Sequence, residues 1–164
     1  MRLIWKLLRK HISITELAIF FVANLIFLVE QRIFEIACDL IRTKEYVEFL
    51  VGRNGEFDEI AASAVRRAKH TLFEENSALV WVMPYKSAEY SKNPHAFENY
   101  FDEIQICPES EAAYYKNAIQ IRNRCMVDSA DLIVCFIEKQ QGGAYNTIKY
   151  AHKMNKNIIY IKQT

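Results

Sequence analysis

With 164 residues, 51% of them hydrophobic and 25% charged, the chain can form one globular domain with a single core and is too short for two. A net charge of +1 gives no electrostatic reason to expect nucleic acid as a main partner. Cys38, Cys107, Cys125 and Cys135 lie far apart, with no CxxC pair and no histidine at ligand spacing, so neither a metal centre nor a disulfide framework is indicated. Reduced thiols and a cytoplasmic location are therefore expected.

At the N-terminus, Arg2, Lys6, Arg9, Lys10 and His11 precede the apolar stretch Ile12 to Val29, the outline of a signal anchor. Glu16 and Asn24 interrupt it, leaving an apolar core shorter than the ~20 residues a spanning helix needs. A buried strand or core helix is expected there, with membrane insertion as the alternative. Residues 1–12 read as an amphipathic or frayed leader and residues 13–164 as one domain. Leu17–Val22 is assigned as a first strand. No Gly or Pro falls between Ser13 and Arg42, so a single long helix over that stretch is the competing reading.

Apolar runs and helical patterns then alternate. Strands are expected at Tyr46–Val51, Ala78–Met83, Glu103–Ile106, Leu132–Ile137 and Asn157–Ile161. Helical spacing falls at Phe34 to Ile41, at Phe57 to Leu72 and from Ala113 to Met126. Runs this apolar on both faces suit an α/β fold, a mainly parallel sheet of five or six strands between layers of helix. Pro84 to Asn99, with two prolines and several polar residues, reads as a loop or short helix over the C-terminal edge of the sheet.

All four glycines lie in two loops, Gly52-Arg53-Asn54-Gly55 and Gly142-Gly143, each between a strand pattern and a helix pattern. Such a turn can bring backbone N–H groups and a helix N-terminus up to an anion, usually a phosphate. It can also be no more than a turn. The basic stripe Arg66, Arg67, Lys69 and His70 reads as the solvent face of its helix.

Four segments, GRNGEFDEIAASAVRRA, VMPY, RNRCMVDSADLIVCFIE and GGAYNTIKYAHKMNKNIIYI, resemble in order and spacing the SLOG superfamily. These are small Rossmann-like proteins of the domain-of-unknown-function type, distantly related to the Lonely-Guy phosphoribohydrolases and to DNA-processing protein A. The resemblance covers roughly residues 33–162. It implies a Rossmann-like three-layer sandwich with a nucleotide-type ligand at the C-terminal edge of the sheet. By position it implies ligand-facing roles for Gly52, Arg53, Gly55, Phe57 and Asp58 in the first loop, and for Gly142, Gly143, Ala144 and Thr147 in the second. The RNR run adds Arg122 and Arg124, although consecutive helical residues fan about 100° apart and cannot all face one pocket.

Elementary chemistry supports part of this. Glycines at 142 and 143 permit close backbone approach, and the amides that open the next helix carry the positive end of its dipole. Arg53 or Arg124 can add a bidentate guanidinium contact, and Thr147 a hydroxyl. Each has a plainer reading: Asp58 as a helix-stabilising acid, Arg53 as a solvated loop charge, Arg122 and Arg124 as partners of Asp128, Asp131 or Glu111. Tyr85, Tyr90 and Tyr100 either stack on a base or cover the core.

Two departures from the family matter. The glycine and basic residues expected after the first strand are absent, since Phe21 is followed by Val22, Ala23 and Asn24. The catalytic glutamate of the phosphoribohydrolases is absent after Thr147, where Ile148, Lys149 and Tyr150 follow, so binding is expected rather than turnover. Glu138 is the one nearby substitute. The expected function is binding of a nucleotide or nucleotide-derived small molecule as a sensor or accessory protein, with no cofactor. The rivals are a degenerate phosphoribohydrolase and an interaction protein that has lost its ligand. Apolar helix surfaces leave a homo-oligomer open.

Overall fold

The computed structural model describes residues 14–73, 75–136 and 141–161, with side chains described from Leu25 onward. The expected leader lies outside the described residues.

The first element is α1, Ile14–Thr43, an uninterrupted helix of 30 residues. This corrects the expected strand at Leu17–Val22. A short apolar run cannot by itself be told from buried helix, and no residue before Arg42 breaks the helical ladder. Its buried stripe, Val29, Ile33, Ala37 and Ile41, recurs every four residues, which is the inner face of a helix. The Asn76 side chain closes its end by donating to the carbonyls of Ile41 at 2.9 Å and Lys44 at 3.0 Å.

Next come β1, Val47–Val51, then α2, Glu56–Leu72, and β2, Ser77–Met83. The stretch expected to cross the sheet edge forms two short helices, α3 at Ala88–Lys92 and α4 at Pro94–Glu98. Ser87 caps the first of these and Pro94 opens the second. After them follow β3, Glu103–Ile106, α5, Pro108–Glu111, and α6, Tyr115–Ser129. The chain continues with β4, Leu132–Cys135, α7, Gly143–Lys153, and β5, Asn157–Tyr160.

The fold is α/β, and every described strand pairing is parallel. In place of one sheet of five or six strands there are two ladders, β1-β2-β3 and β4-β5. The sixth expected strand is part of α1. In the larger ladder Val47 pairs with Ser77 and Val51 with Trp81, while Val80 pairs with Glu103 and Met83 with Ile106. In the smaller one Leu132 pairs with Asn157 and Cys135 with Tyr160.

Strand β2 is buried along its whole length, and its alternating side chains divide the core. Leu79, Trp81 and Met83 pack with Ala37, Ile41, Val65 and Ala68 of α1 and α2. Ala78, Val80 and Val82 pack instead with Cys107 and with Cys125 and Met126 of α6. Helices thus cover both faces. Burying each larger side chain contributes about 1.5–3 kcal/mol, which makes β2 the spine of the domain.

A third cluster joins the ladders. Val134 and Phe136, at the end of β4, meet Phe57, Ile60 and Ala64 of α2 and Val29 and Ile33 of α1. The C-terminal end of β4 therefore lies beside the start of α2, which follows the C-terminal end of β1.

Candidate functional site

The β1–α2 loop is built around a buried arginine. Arg122, on α6, is 1% exposed. Its Nη1 donates to the Val82 carbonyl at 3.1 Å and its Nη2 to Asn54 Oδ1 at 2.6 Å, while its Nε is buried with no partner. Burial pulls its pKa down, and the nearby Asp58 and Cys107 oppose that shift. Gly52 is what makes room for it. A Cβ at Gly52 would lie 2.3 Å from Arg122 Nη1 and 2.8 Å from Asp58 Oδ2.

The rest of the loop is closed by its own polar groups. Asp58 Oδ2 accepts from the Asn54 amide at 3.0 Å, and the Asp58 amide donates to the Gly55 carbonyl at 3.0 Å. Gly55 begins α2 in an extended conformation and offers no side-chain cap, so the first amides of that helix have no protein side chain on them. Arg53 is tethered: Nη1 donates to Glu89 at 2.8 Å, and its guanidinium lies 4.9 Å from the Phe97 ring centroid and 5.8 Å from that of Trp81. It is neither a solvated loop charge nor a free anion contact. Phe57 points away from the loop into the cluster at the end of β4, so its role is packing.

Gly52, Arg53, Asp58, Glu59, Phe97 and Tyr100 line an open cleft of about 280 Å³ at this edge. Tyr90 packs edge-on against Trp81 at 6.0 Å and donates to Glu98, so it covers the core. Tyr100 and Tyr85 are partly exposed.

The second loop also opens a helix on glycine. Gly142, with φ 91°, adopts a left-handed conformation that favours glycine, and α7 starts from it without a side-chain cap. Gly143 and Ala144 are exposed. Thr147 Oγ1 donates back to the Gly143 carbonyl at 2.9 Å and accepts from Asn123 Nδ2 at 3.3 Å. Glu138 lies outside the described residues.

The RNR run separates as its helical spacing requires. Arg122 points to the first loop and Asn123 to the second. Arg124 is exposed, with its guanidinium 5.4 Å from the Tyr150 ring centroid, and belongs to the α6–α7 contact. Neither arginine forms an ion pair with Asp128, Asp131 or Glu111 among the described residues. Sequence reasoning passed over Asn54 and Asn123, the two amides that tie α6 to the loops. The signal was an asparagine inside each of the short polar runs already singled out.

The basic stripe of α2 is partnered too, not a bare solvent face. Arg67 lies 4.4 Å over Phe34 and pairs with Glu30, Arg66 lies 4.5 Å over Tyr100, and Lys69 pairs with Asp102. Arg66 and Lys69, with His70 and Phe73, line a second cleft, of about 350 Å³, at the opposite end of α2. The cysteines also differ from expectation. Cys107 Sγ and Cys125 Sγ lie 3.0 Å apart, although 18 positions separate them in the chain. Burial, then the bond to Cys107 and the neighbouring Glu109, pushes the Cys125 thiol up to about 12, and burial pushes that of Cys135 up to about 11.

These features define an α/β protein of parallel ladders in which two uncapped helix N-termini are held by one central helix. The family described as a probable transporter N-terminal domain matches residues 3–29, mostly outside the region with described side chains. Among the described residues no helix is long and apolar enough to cross a membrane. No curated protein matches the chain. Among solved structures, (E)-4-hydroxy-3-methyl-but-2-enyl diphosphate reductase, the terminal enzyme of the non-mevalonate pathway, is similar at 14% identity and a TM-score of 0.24. The match covers 82% of this chain and 52% of the reductase, so the chain spans about half that protein's length.

Proposed function

We propose that this chain is a Rossmann-like, SLOG-type domain that binds a nucleotide or nucleotide-derived small molecule beside the C-terminal ends of β1 and β4, as a sensor or accessory protein. One observation carries the reading. Adjacent residues of α6 reach both glycine loops, Arg122 through Asn54 and Asn123 through Thr147. A shared anchor of this kind preorganises two loops for one ligand.

Charge assigns the two ends of that ligand. The first turn of α2 carries Glu56, Asp58 and Glu59, which repel a phosphate and suit sugar hydroxyls. The first turn of α7 carries no acid, and its glycines leave the backbone amides open. The phosphate therefore belongs at Gly142 and Gly143, where the helix dipole favours it. Thr147 is followed by no carboxylate, so the proposal is for binding without glycosidic cleavage.

A thermal-shift screen of the purified chain against nucleoside monophosphates and ADP-ribose, repeated with Gly143→Asp, tests this. No atom lies within 4 Å of a Cβ at Gly143, and an acid in the first turn of a helix is favourable, so the variant should fold normally. Ligand at 100 times its Kd adds about 2.7 kcal/mol, a rise of roughly 5–10 °C. The rise should appear in the parent and vanish in the variant. A cooperatively melting parent that responds to none of the compounds would refute the proposal.

A further inference from the structure

We propose that Cys107, Glu109 and Cys125 form a site for a thiophilic divalent cation of the zinc class, on the face of the larger ladder that α6 covers. The two sulfurs lie 3.0 Å apart, and Glu109 Oε2 is 3.3 Å from Cys107 Sγ and 3.5 Å from Cys125 Sγ. All three groups fall within the 4.8 Å span of one ion's ligands.

The site is held by the fold. Cys107 follows β3, where its amide donates to the Met83 carbonyl at 3.0 Å, and its own carbonyl accepts from the Ser110 and Glu111 amides. Pro108 then opens α5, so the single turn that carries Glu109 is fixed directly beside the cysteine. Ser110, fully buried, pins that turn by hydrogen bonds to the carbonyls of Pro84 at 2.6 Å and Cys107 at 2.9 Å. Cys125 comes from the C-terminal half of α6, so two independently anchored elements supply the thiols.

The spacing suits coordination. With metal–sulfur bonds of about 2.3 Å and a metal–oxygen bond of about 2.0 Å, tetrahedral geometry sets sulfur–oxygen edges near 3.5 Å and the sulfur–sulfur edge near 3.8 Å. The carboxylate edges already match. The sulfurs must part by roughly 0.8 Å, which a small χ1 rotation of the half-exposed Cys125 supplies. Glu109 is exposed, which gives the ion an entry path and water as its fourth ligand. Binding forms two metal–sulfur bonds and one metal–oxygen bond and releases the two thiol protons to solvent, leaving the cluster at a net charge of −1. The Arg122 guanidinium is close enough to Cys107 to interact with that charge. The same carboxylate argues against a disulfide pair, because oxidation runs through a thiolate that an adjacent anion disfavours and a cation favours.

The test is a Co²⁺ titration of the full chain, reduced with a phosphine and stripped of metal, followed by displacement with Zn²⁺. A thiolate-to-cobalt charge-transfer band should grow to one equivalent and disappear on adding zinc. Outer-shell changes at metal sites cost about 10–100-fold in affinity, so loss of a direct ligand in C125S or E109Q should cost at least about tenfold. Glu109 is exposed, so E109Q remains informative if C125S fails to fold. No band, a band of undiminished strength in C125S, or unchanged affinity in E109Q would overturn the site.

Discussion

The fit of Gly52 against Arg122, the tightest at any of the four glycines, makes a quantitative prediction for Gly52→Ala. The backbone at Gly52 is outside the left-handed region, so alanine is torsionally allowed, and the entropy of the unfolded chain alone would favour it by about 0.4–1 kcal/mol. The new Cβ, however, would lie 2.3 Å from Nη1 and 3.1 Å from Cζ of Arg122. The guanidinium must retreat by roughly 1 Å to reach ordinary contact distance. That movement breaks or lengthens its bonds to Val82 and Asn54, on top of an overpacking cost of about 1–3 kcal/mol. We expect a net loss of about 2–4 kcal/mol, read as a drop of roughly 8 °C in Tm or as a lower urea midpoint at constant slope. In an Arg122→Met background the guanidinium clash is gone and only the 2.8 Å approach to Asp58 Oδ2 is left, which the end of that half-exposed side chain relieves by turning aside. The same change should then cost less than about 1 kcal/mol. A double-mutant cycle with a coupling energy below about 0.5 kcal/mol, or a single variant as stable as the parent, would refute the steric argument.

Two further predictions concern the other end of α2. Phe73 ends that helix in the left-handed region at φ 54° and is 90% exposed, so Phe73→Gly should raise stability by about 0.5–1 kcal/mol, a gain of roughly 2 °C by thermal melting. Burial alone would raise the pKa of Asp102, but the Leu79 amide and Lys69 outweigh it and hold the carboxyl below its ordinary 3.8. Its contribution is present above pH 3.8 and is lost as pH falls through the lower folded value. Asp102→Asn should therefore lower the urea midpoint at pH 7, modestly because the pair is half-exposed, and the difference should shrink below pH 3.8. A difference that persists or grows at low pH would contradict this.

What could be read from the chain follows from what each residue reports locally. Seven consecutive buried residues in β2, and the half-buried alternation of Glu103–Ile106, announce strands because burial on a pleated surface needs just such side chains. The same logic failed at Leu17–Val22, where an apolar run suits either state and the deciding stripe, Val29 to Ile41, lies further along the helix. The glycine turns were visible, but Arg53 could not be seen to dock on Phe97 and Glu89 because those partners lie more than 30 positions away. Cys107 and Cys125 were dismissed on sequence distance, although α5 and α6 fold back to bring the sulfurs together. Polar residues that form contacts across elements carry no periodicity, so only the fold reveals them.

Arg122 is the sharpest instance, and its burial bears on function. A guanidinium 1% exposed, with Nε unpaired, returns little for its desolvation, and apolar replacements of similar volume at such sites are often neutral or better. Of its two oxygen partners, Asn54 is exposed, so water takes over that bond when the guanidinium goes. The Val82 carbonyl in buried β2 loses a donor, a cost that relief of the guanidinium's own desolvation offsets. Arg122→Met should consequently change stability by no more than about 2 kcal/mol. It also removes the sole side-chain tie between α6 and the β1–α2 loop among the described residues. If the arginine serves chiefly to hold that loop for a ligand, the nucleotide-induced rise in Tm should fall to near zero while the unliganded protein still melts cooperatively. A variant that loses more than about 4 kcal/mol would assign Arg122 to the core instead. One that keeps the full ligand response would detach the β1–α2 loop from binding.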